Sequence, residues 1–185
     1  SAQSDGRQKL GNYLDSLHAH KKVMGSFAIS DRDNVLFAKT VGFADAESKQ
    51  KANVNTEYRI GSVTKIFTAV MMMKAVESGK ISLNQKLSDF YPEITNAKII
   101  TIQNLLQHRS GMHDITREQE FAKIYMTPQT KDQLLGMIRK YPSDFSPGSK
   151  YEYSNSNYII LGAVLEKICG KTYADLLDQM IVKPL

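Results

Sequence analysis

The first third of the chain combines two different patterns of apolar and polar residues. Across residues 7–20, apolar side chains recur every three or four positions, which predicts an amphipathic helix. Residues 23–30 and 35–43 read as two strands, and the polar sequence at 31–34 between them is typical of a hairpin turn. The polar stretch 45–56 predicts a loop. We therefore expect an N-terminal helix followed by a β-hairpin.

The segment from Ser62 to Ser78 changes this pattern, because nearly every position between residues 66 and 76 is apolar. A helix that is apolar on all sides is expected to be buried, so the segment is predicted to be a central helix of the core. Gly79 follows it, as a glycine commonly does at the end of a helix. The methionines at 71–73 are interpreted as core filling.

Shorter helices are predicted along the rest of the chain. Thr101 is a candidate cap for one of them, and residues 141–156, rich in Pro, Gly, Ser and Tyr, predict a loop. The sequence thus predicts an α+β protein, with a helix and hairpin over residues 1–60 and a mostly helical region over residues 61–185. The predicted shorter helices are residues 83–90, 101–108, 130–140, 157–168 and 173–182.

The composition indicates a folded protein and argues against a nucleic-acid partner. The 185 residues are 42% hydrophobic and 23% charged, enough to bury a core. The formal net charge is +5, but the Lys and Arg residues are scattered, which indicates a solvated surface and no binding stripe. No signal peptide and no apolar run long enough to cross a membrane is visible in the sequence.

Ser62 and Lys65 are the first candidates for chemistry. Residues three apart on a helix face the same side, so the Lys65 amine can reach the Ser62 hydroxyl. Burial among apolar side chains disfavours the charged form of an amine, and a neutral amine can take the serine proton. The alternative is that Ser62 only caps the helix and Lys65 extends along its surface.

The same spacing occurs at Ser48 and Lys51, where it is interpreted as fortuitous. That copy lies in a polar, charged loop with nothing to desolvate Lys51. Only Ser62 is predicted to open a buried helix, and Gly61 before it would let a substrate approach closely. The surroundings therefore distinguish two copies that the spacing alone does not.

Tyr153 and Asn155 form a second candidate group, at the end of the Pro/Gly loop and just before a predicted helix. A phenol and an amide on one short segment can offer a proton shuttle and a hydrogen-bond donor to a substrate carbonyl. The alternative is that Asn155 or Ser154 caps the helix and Tyr153 packs against the core.

A further cluster contains the residue types of a Ser-His-Asp triad, at His108, Ser110, His113 and Asp114. Residues so close in sequence rarely reach triad geometry, so the cluster is not predicted to be catalytic. The two histidines also lack a third ligand, so no metal site is predicted.

Three ordered segments carry a resemblance to a known family. Residues 58–65, YRIGSVTK, look like the nucleophile segment of the β-lactamase-related serine hydrolases, which include class C β-lactamases, D-Ala-D-Ala carboxypeptidases, D-aminopeptidases and related esterases. Residues 105–112, LLQHRSGM, are similar to the family's Leu-Leu-x-His-Thr-Ser-Gly-Leu segment. Residues 151–155, YEYSN, resemble its Tyr-x-Asn motif. The order of these segments makes the resemblance more specific than any one of them.

The resemblance implies the serine β-lactamase and penicillin-binding-protein (transpeptidase-like) fold and a role for each candidate. Ser62 would form an acyl-enzyme, Lys65 and Tyr153 would share the proton transfers, and Asn155 would orient the substrate amide. The substrate would be a small molecule or peptide, such as a β-lactam, a D-amino-acid peptide or an ester. Neither a metal nor another cofactor would be needed, and the protein would lie in the periplasm or outside the cell, secreted or associated with a membrane.

The family's third motif, Lys- or His-Ser/Thr-Gly, is not found in the sequence. Residues 170–172, Gly-Lys-Thr, are followed by Tyr173, and relatives continue well beyond Leu185. The chain is therefore expected to be a fragment that lacks the remaining strands of the sheet and is inactive alone, or a short form that an oligomer or a second chain completes. A penicillin-recognising sensor or a catalytically silent binding domain on the same scaffold stays open as an alternative.

Overall fold

Helical periodicity and a polar turn give the N-terminal part a helix and a hairpin, as predicted. In the computed structural model, which describes residues 2–185 and the side chains from Asp5 onward, helix α1 spans Ala2–Ala19. Strands β1 (Gly25–Asp31) and β2 (Asn34–Val41) pair antiparallel. The chain separates into two units, one that ends at Arg59 and a second that spans Ile60–Leu185.

The predicted loop at residues 45–56 contains a small ribbon that the sequence analysis missed. Strands β3 (Phe43–Asp45) and β4 (Gln50–Lys51) pair antiparallel across a turn. Phe43 ends the predicted strand at residues 35–43, and residues 45–51 are mostly polar, so no alternation of apolar residues indicates the ribbon. The ribbon contains the Ser48 copy of the Ser-x-x-Lys spacing.

The second unit is mostly helical, which makes the described fold α+β. Thr101 and Thr130 cap their helices through capping boxes, because each threonine side chain accepts a hydrogen bond from the backbone three residues later. A π-helical turn, Asp178–Val182, continues the last helix. The helices of this unit are α2 (Thr64–Glu77), α3 (Ile102–Leu106), α4 (Gln119–Ile124), α5 (Lys131–Arg139), α6 (Asn155–Cys169) and α7 (Tyr173–Leu177).

The predicted helix at residues 83–90 is wrong, since only a 3₁₀ turn at Leu87–Asp89 forms there. The Leu87 N–H donates to the carbonyl of Ile100, and the Ser88 N–H donates to that of Ala97. These bonds to a later segment take the place of the bonds that a longer α-helix would need.

The core of the second unit lies between α2, α3, α5 and α6. Helix α6 contributes several fully buried apolar residues, and α3 and α5 pack against it. No helix of the described residues is both long and apolar enough to cross a membrane. Fully buried side chains of the core are Met71, Met72, Leu87, Ile100, Ile102, Leu105, Ile115, Ile160, Leu161, Val164 and Leu165.

Helix α2 is buried on one face only, which corrects the prediction of a helix buried on all sides. Met71 and Met72 are fully buried, whereas Met73 is 47% exposed. Ile66 and Val70 are exposed as well, at 62% and 42%, and lie on the same side of the helix as Met73. The apolar sequence predicted burial on all sides, but within the second unit only one of the two faces of α2 is covered.

Candidate active site

Ser62 and Lys65 are brought together at the start of α2. Ser62 lies in a 3₁₀ turn, Gly61–Val63, that leads directly into the helix, and Lys65 is the helix's second residue. The Lys65 Nζ atom donates a hydrogen bond to Ser62 Oγ at 3.1 Å. Gly61 has φ +53°, a left-handed conformation that side chains with a Cβ rarely adopt.

Tyr153 and Asn155 converge on the same point from the beginning of α6. The Tyr153 hydroxyl lies 3.0 Å from Ser62 Oγ and donates to Asn155 Oδ1 at 3.3 Å. Asn155 Oδ1 also accepts a hydrogen bond from Lys65 Nζ at 2.8 Å. Ser154 precedes the helix without a side-chain capping bond, so the structure does not support the capping alternative for that residue. All four predicted site residues thus form one hydrogen-bonded group.

The surroundings of Tyr153 favour ionisation of its phenol. Burial opposes ionisation, but the interactions with Lys65 and Ser62, together with the positive charge of Lys65, outweigh it and lower the pKa of Tyr153. The Lys65 Nζ atom lies 5.1 Å from the centre of the Tyr153 ring. The phenol beside Ser62 therefore loses its proton more readily than the phenol of a free tyrosine.

His108 supports Tyr153 from behind. The two rings stack with centroids 4.5 Å apart and planes inclined by 30°. His108 Nδ1 accepts a hydrogen bond from the Ser154 N–H at 3.2 Å. Burial, followed by the charge of Lys65, lowers the pKa of His108, which favours a neutral ring that packs and accepts.

The candidate triad does not assemble. The Ser110 hydroxyl donates to Asn157, and the ring of His113 contacts the carboxylates of Asp144 and Glu118 at 2.9 and 3.0 Å. Among residues 2–185 no cluster of side chains suited to a metal ion is found.

Asp114 and Thr116 belong to the site, although the sequence analysis did not predict this. Asn155 Nδ2 donates to Asp114 Oδ2 at 3.1 Å and to Thr116 Oγ1 at 2.9 Å. In the sequence, Asp114 belongs to the candidate triad cluster, which is not predicted to be catalytic. A signal was nevertheless present, because a carboxylate next to the apolar Ile115 requires partners if the segment is buried.

A cleft of about 950 Å³ opens beside the four predicted residues. Ser62, Lys65 and Asn155 line it, together with the apolar side chains of Phe121 and Leu134. A polar reacting centre beside an apolar wall is typical of small-molecule sites.

Two other segments resemble family motifs in sequence only, the Ser-x-x-Lys spacing at Ser48 and the Gly-Lys-Thr sequence at residues 170–172, and both have local structural roles. The Ser48 hydroxyl donates to Asp45 at 2.7 Å inside the β3–β4 turn. Gly170 ends α6 with φ +63°, and the Thr172 side chain caps α7. Residues 170–172 therefore form a boundary between helices, in agreement with their exclusion as the third motif.

Comparison with known proteins identifies the relatives of this chain. The family model described as beta-lactamase matches residues 12–185. Teichoic acid D-alanine hydrolase of Staphylococcus aureus is 29% identical over 178 residues, which are 96% of this chain and 42% of that protein.

Solved structures agree with this assignment. D-amino acid amidase from Ochrobactrum anthropi SV3, complexed with D-phenylalanine, is 26% identical and aligns with a TM-score of 0.83 over 100% of this chain and 50% of its own. The octameric penicillin-binding protein homologue from Pyrococcus abyssi is 27% identical, with a TM-score of 0.80 over 96% of this chain and 42% of its own. The chain spans about half the length of these relatives. The predicted fold class and the resemblance noted in the sequence are confirmed.

Proposed function

Because the chain belongs to the beta-lactamase family, we propose that its protein is a serine hydrolase that forms an acyl-enzyme on Ser62. One observation carries the proposal: Ser62 Oγ lies 3.1 Å from Lys65 Nζ and 3.0 Å from Tyr153 Oη. A serine hydroxyl is a weak nucleophile unless a neighbouring group takes its proton, and both neighbours are within hydrogen-bond distance.

The reaction begins when Ser62 Oγ attacks the carbonyl carbon of the substrate and its proton passes to the neighbouring base. The carbonyl π electrons move to the oxygen, and a tetrahedral intermediate forms. When it collapses, the bond to the leaving nitrogen or oxygen breaks, and the leaving group takes up the proton. Water then adds to the acyl carbon by the same proton route, and its addition releases the acid and restores Ser62.

Tyr153 is the group that accepts the serine proton in this proposal. Lys65 Nζ donates to both Ser62 Oγ and Asn155 Oδ1, so in this arrangement it acts as a donor toward the serine oxygen. The Ser62 proton is then free to point at Tyr153 Oη. The lowered pKa of Tyr153 makes loss of the phenol proton easier, and the ionised oxygen can then accept the proton of Ser62.

The substrate class is proposed from the names of the relatives. A teichoic acid D-alanine hydrolase and a D-amino acid amidase both act on D-amino-acid derivatives, so esters or amides of D-amino acids are the first substrates to test, followed by β-lactams. The octameric homologue makes an oligomer a reasonable assembly to examine. A place in the periplasm or outside the cell is proposed from the family resemblance.

The test is covalent labelling of the full-length product of the reading frame that encodes this chain. A fluorophosphonate and a labelled penicillin are incubated with the parent protein, with Ser62→Ala and with the matched control Ser48→Ala. Intact mass and peptide mapping then locate the adduct. We expect one adduct on Ser62 in the parent and in Ser48→Ala, and none in Ser62→Ala.

Turnover is measured in parallel with D- and L-alanine esters of one alcohol. Preferential hydrolysis of the D-ester is expected. Full labelling of Ser62→Ala would contradict the nucleophile assignment. A stoichiometric adduct that persists, with no ester turnover, would replace the hydrolase by a penicillin-recognising sensor.

A further inference from the structure

Asp114 has a buried carboxylate that accepts a hydrogen bond from Asn155 of the candidate site. The residue is only 4% exposed. Its Oδ1 atom accepts hydrogen bonds from the Thr116 N–H at 3.1 Å and from the Thr116 hydroxyl at 2.8 Å. Its Oδ2 atom accepts from Asn155 Nδ2 at 3.1 Å, and Arg117 Nε lies at 4.0 Å. A buried carboxylate is costly unless it is bonded in this way, so its orientation is fixed.

This carboxylate determines which way the Asn155 amide faces. Because Thr116 gives its hydroxyl proton to Asp114, its Oγ1 atom is left as an acceptor for Asn155 Nδ2. The amide nitrogen therefore faces two acceptors. A flipped amide would place Oδ1 against the carboxylate and lose both bonds. In the observed orientation Oδ1 accepts from Lys65 Nζ at 2.8 Å.

We propose that Asp114, with Thr116, is a positioning residue for Ser62 acylation. It fixes the amide of Asn155 so that Oδ1 holds Lys65 beside the nucleophile. The negative charge behind the amide also polarises it, which strengthens Oδ1 as an acceptor for Lys65. Asp114 contacts none of the reacting atoms, and this inference rests on the proposed function because acylation is one of its readouts.

The central test exchanges the two side chains. In Asp114→Asn, the bonds from Thr116 keep an oxygen at the Oδ1 position, so the new NH₂ group meets Asn155 Nδ2. Two donors then face each other, and the Asn155 amide turns its NH₂ group toward Lys65. We expect the acylation rate to fall by about 10–100-fold, the size of effect that follows loss of an outer partner of a site residue. Asn155→Asp alone places two carboxylates in contact and should also be impaired.

The double variant Asp114→Asn/Asn155→Asp restores the hydrogen bond between positions 114 and 155 with its polarity reversed. The amide introduced at position 114 can donate to the carboxylate at position 155, which still accepts from Lys65. Recovery of about tenfold or more over Asp114→Asn is expected. In Asp114→Asn the saturating acylation rate should fall, whereas KM should stay near the parent value, because positioning acts on the step after binding. All rates are measured below the unfolding temperature of each variant.

Asp144→Asn is the matched control, since Asp144 contacts His113 and makes no bond to Asn155. Its acylation rate should equal that of the parent. If Asp114→Asn fails to fold, Thr116→Val removes the hydroxyl while keeping its shape, and it should weaken acylation in the same direction. A parent rate in Asp114→Asn, or no recovery in a folded double variant, would overturn the inference.

A readout that does not depend on activity separates this inference from the proposed function. NMR follows the exchange of the Asn155 side-chain NH₂ protons with water. They should be protected in the parent and exposed in Asp114→Asn. Equal exchange in both would refute the positioning role even if Ser62 is labelled. Protection in a parent protein that no reagent labels would instead count against the proposed function alone.

Discussion

The chain contains the Ser-x-x-Lys spacing twice, and only one copy is set in a reactive arrangement. Ser48 lies in the turn between β3 and β4, where its hydroxyl donates to Asp45, and Lys51 is exposed. Ser62 lies at the entry to a packed helix, where Lys65 and Tyr153 both reach its oxygen. The spacing is the same, but the partners differ.

Long-range contacts, more than the motif itself, place the partners around the serine. Ser48 is bonded to a residue three positions away, which any turn can provide. Ser62 is bonded to Tyr153, 91 residues away in sequence. Such a contact forms only when α2 and α6 are packed together, so folding creates the group.

The largest expected effect comes from removing the lysine amine beside Ser62, with removal of the lysine near Ser48 as the control. Lys65→Ala should slow Ser62 acylation by about 10⁴-fold, because it removes a positive charge and a proton-transfer partner from the nucleophile. Lys51→Ala should leave the rate unchanged. Stopped-flow labelling with a fluorescent penicillin measures both. Equal effects of the two substitutions would mean that the comparison between the copies is wrong.

The next prediction tests the packing of α2, the helix that begins just after Ser62. Met72 is fully buried and Met73 is 47% exposed on the same helix. Met72→Ala should reduce the free energy of unfolding by about 2–5 kcal/mol, whereas Met73→Ala should change it by about 0.5 kcal/mol or less. Urea unfolding of the chain followed by circular dichroism gives both values. A large loss in Met73→Ala would show that the exposed face is covered in solution.

Tyr153→Phe tests the phenol hydroxyl that lies beside Ser62 and has no counterpart beside Ser48. The substitution keeps the ring that stacks on His108 and removes only the hydroxyl beside Ser62. Acylation should slow by about 10²-fold with little change in stability. Because the proposed route needs the ionised phenol, the rate of the parent protein should rise with pH as Tyr153 ionises, and this rise should be absent in Tyr153→Phe. If the rate is unaffected, Lys65 is the proton acceptor and the proposed route through Tyr153 fails.

Local sequence patterns predicted most helices, whereas the four candidate site residues were proposed from the ordered motifs of the family resemblance. The caps Thr101 and Thr130 act within three residues of themselves, so their patterns are visible in the sequence. The turn at residues 83–90 was misread because its backbone bonds go to Ile100 and Ala97, which no local pattern specifies.

Asp114 shows the same limit within the site. Its neighbours in sequence suggest a triad, whereas the structure places it in contact with Asn155, 41 residues away. Burial gave the carboxylate its partners, and burial depends on how the whole unit packs. The exposed face of α2 could not be predicted for the same reason, because the apolar character of Ile66 and Val70 does not determine which residues pack against them.

The smallest expected effect concerns His113, which precedes Asp114 in the same loop. Burial opposes its protonation, but the carboxylates of Asp144 and Glu118 outweigh burial and raise its pKa. A raised pKa means that the protonated ring stabilises the fold below its unfolded pKa of about 6.5. This contribution is lost as the pH rises through the folded pKa.

His113→Gln should therefore flatten the decrease in the free energy of unfolding across that pH range, by no more than about 1 kcal/mol, since its partners are partly exposed. Asp144→Asn keeps the ring but removes one carboxylate, so it should flatten the decrease only in part. Urea titrations at several pH values measure the slope. If His113→Gln and the parent show the same pH dependence, the ring does not form a stabilising ion pair with its two carboxylates. The loop that carries Asp114 would then be held by neutral contacts, such as the hydrogen bond from the Ser156 hydroxyl to the His113 carbonyl.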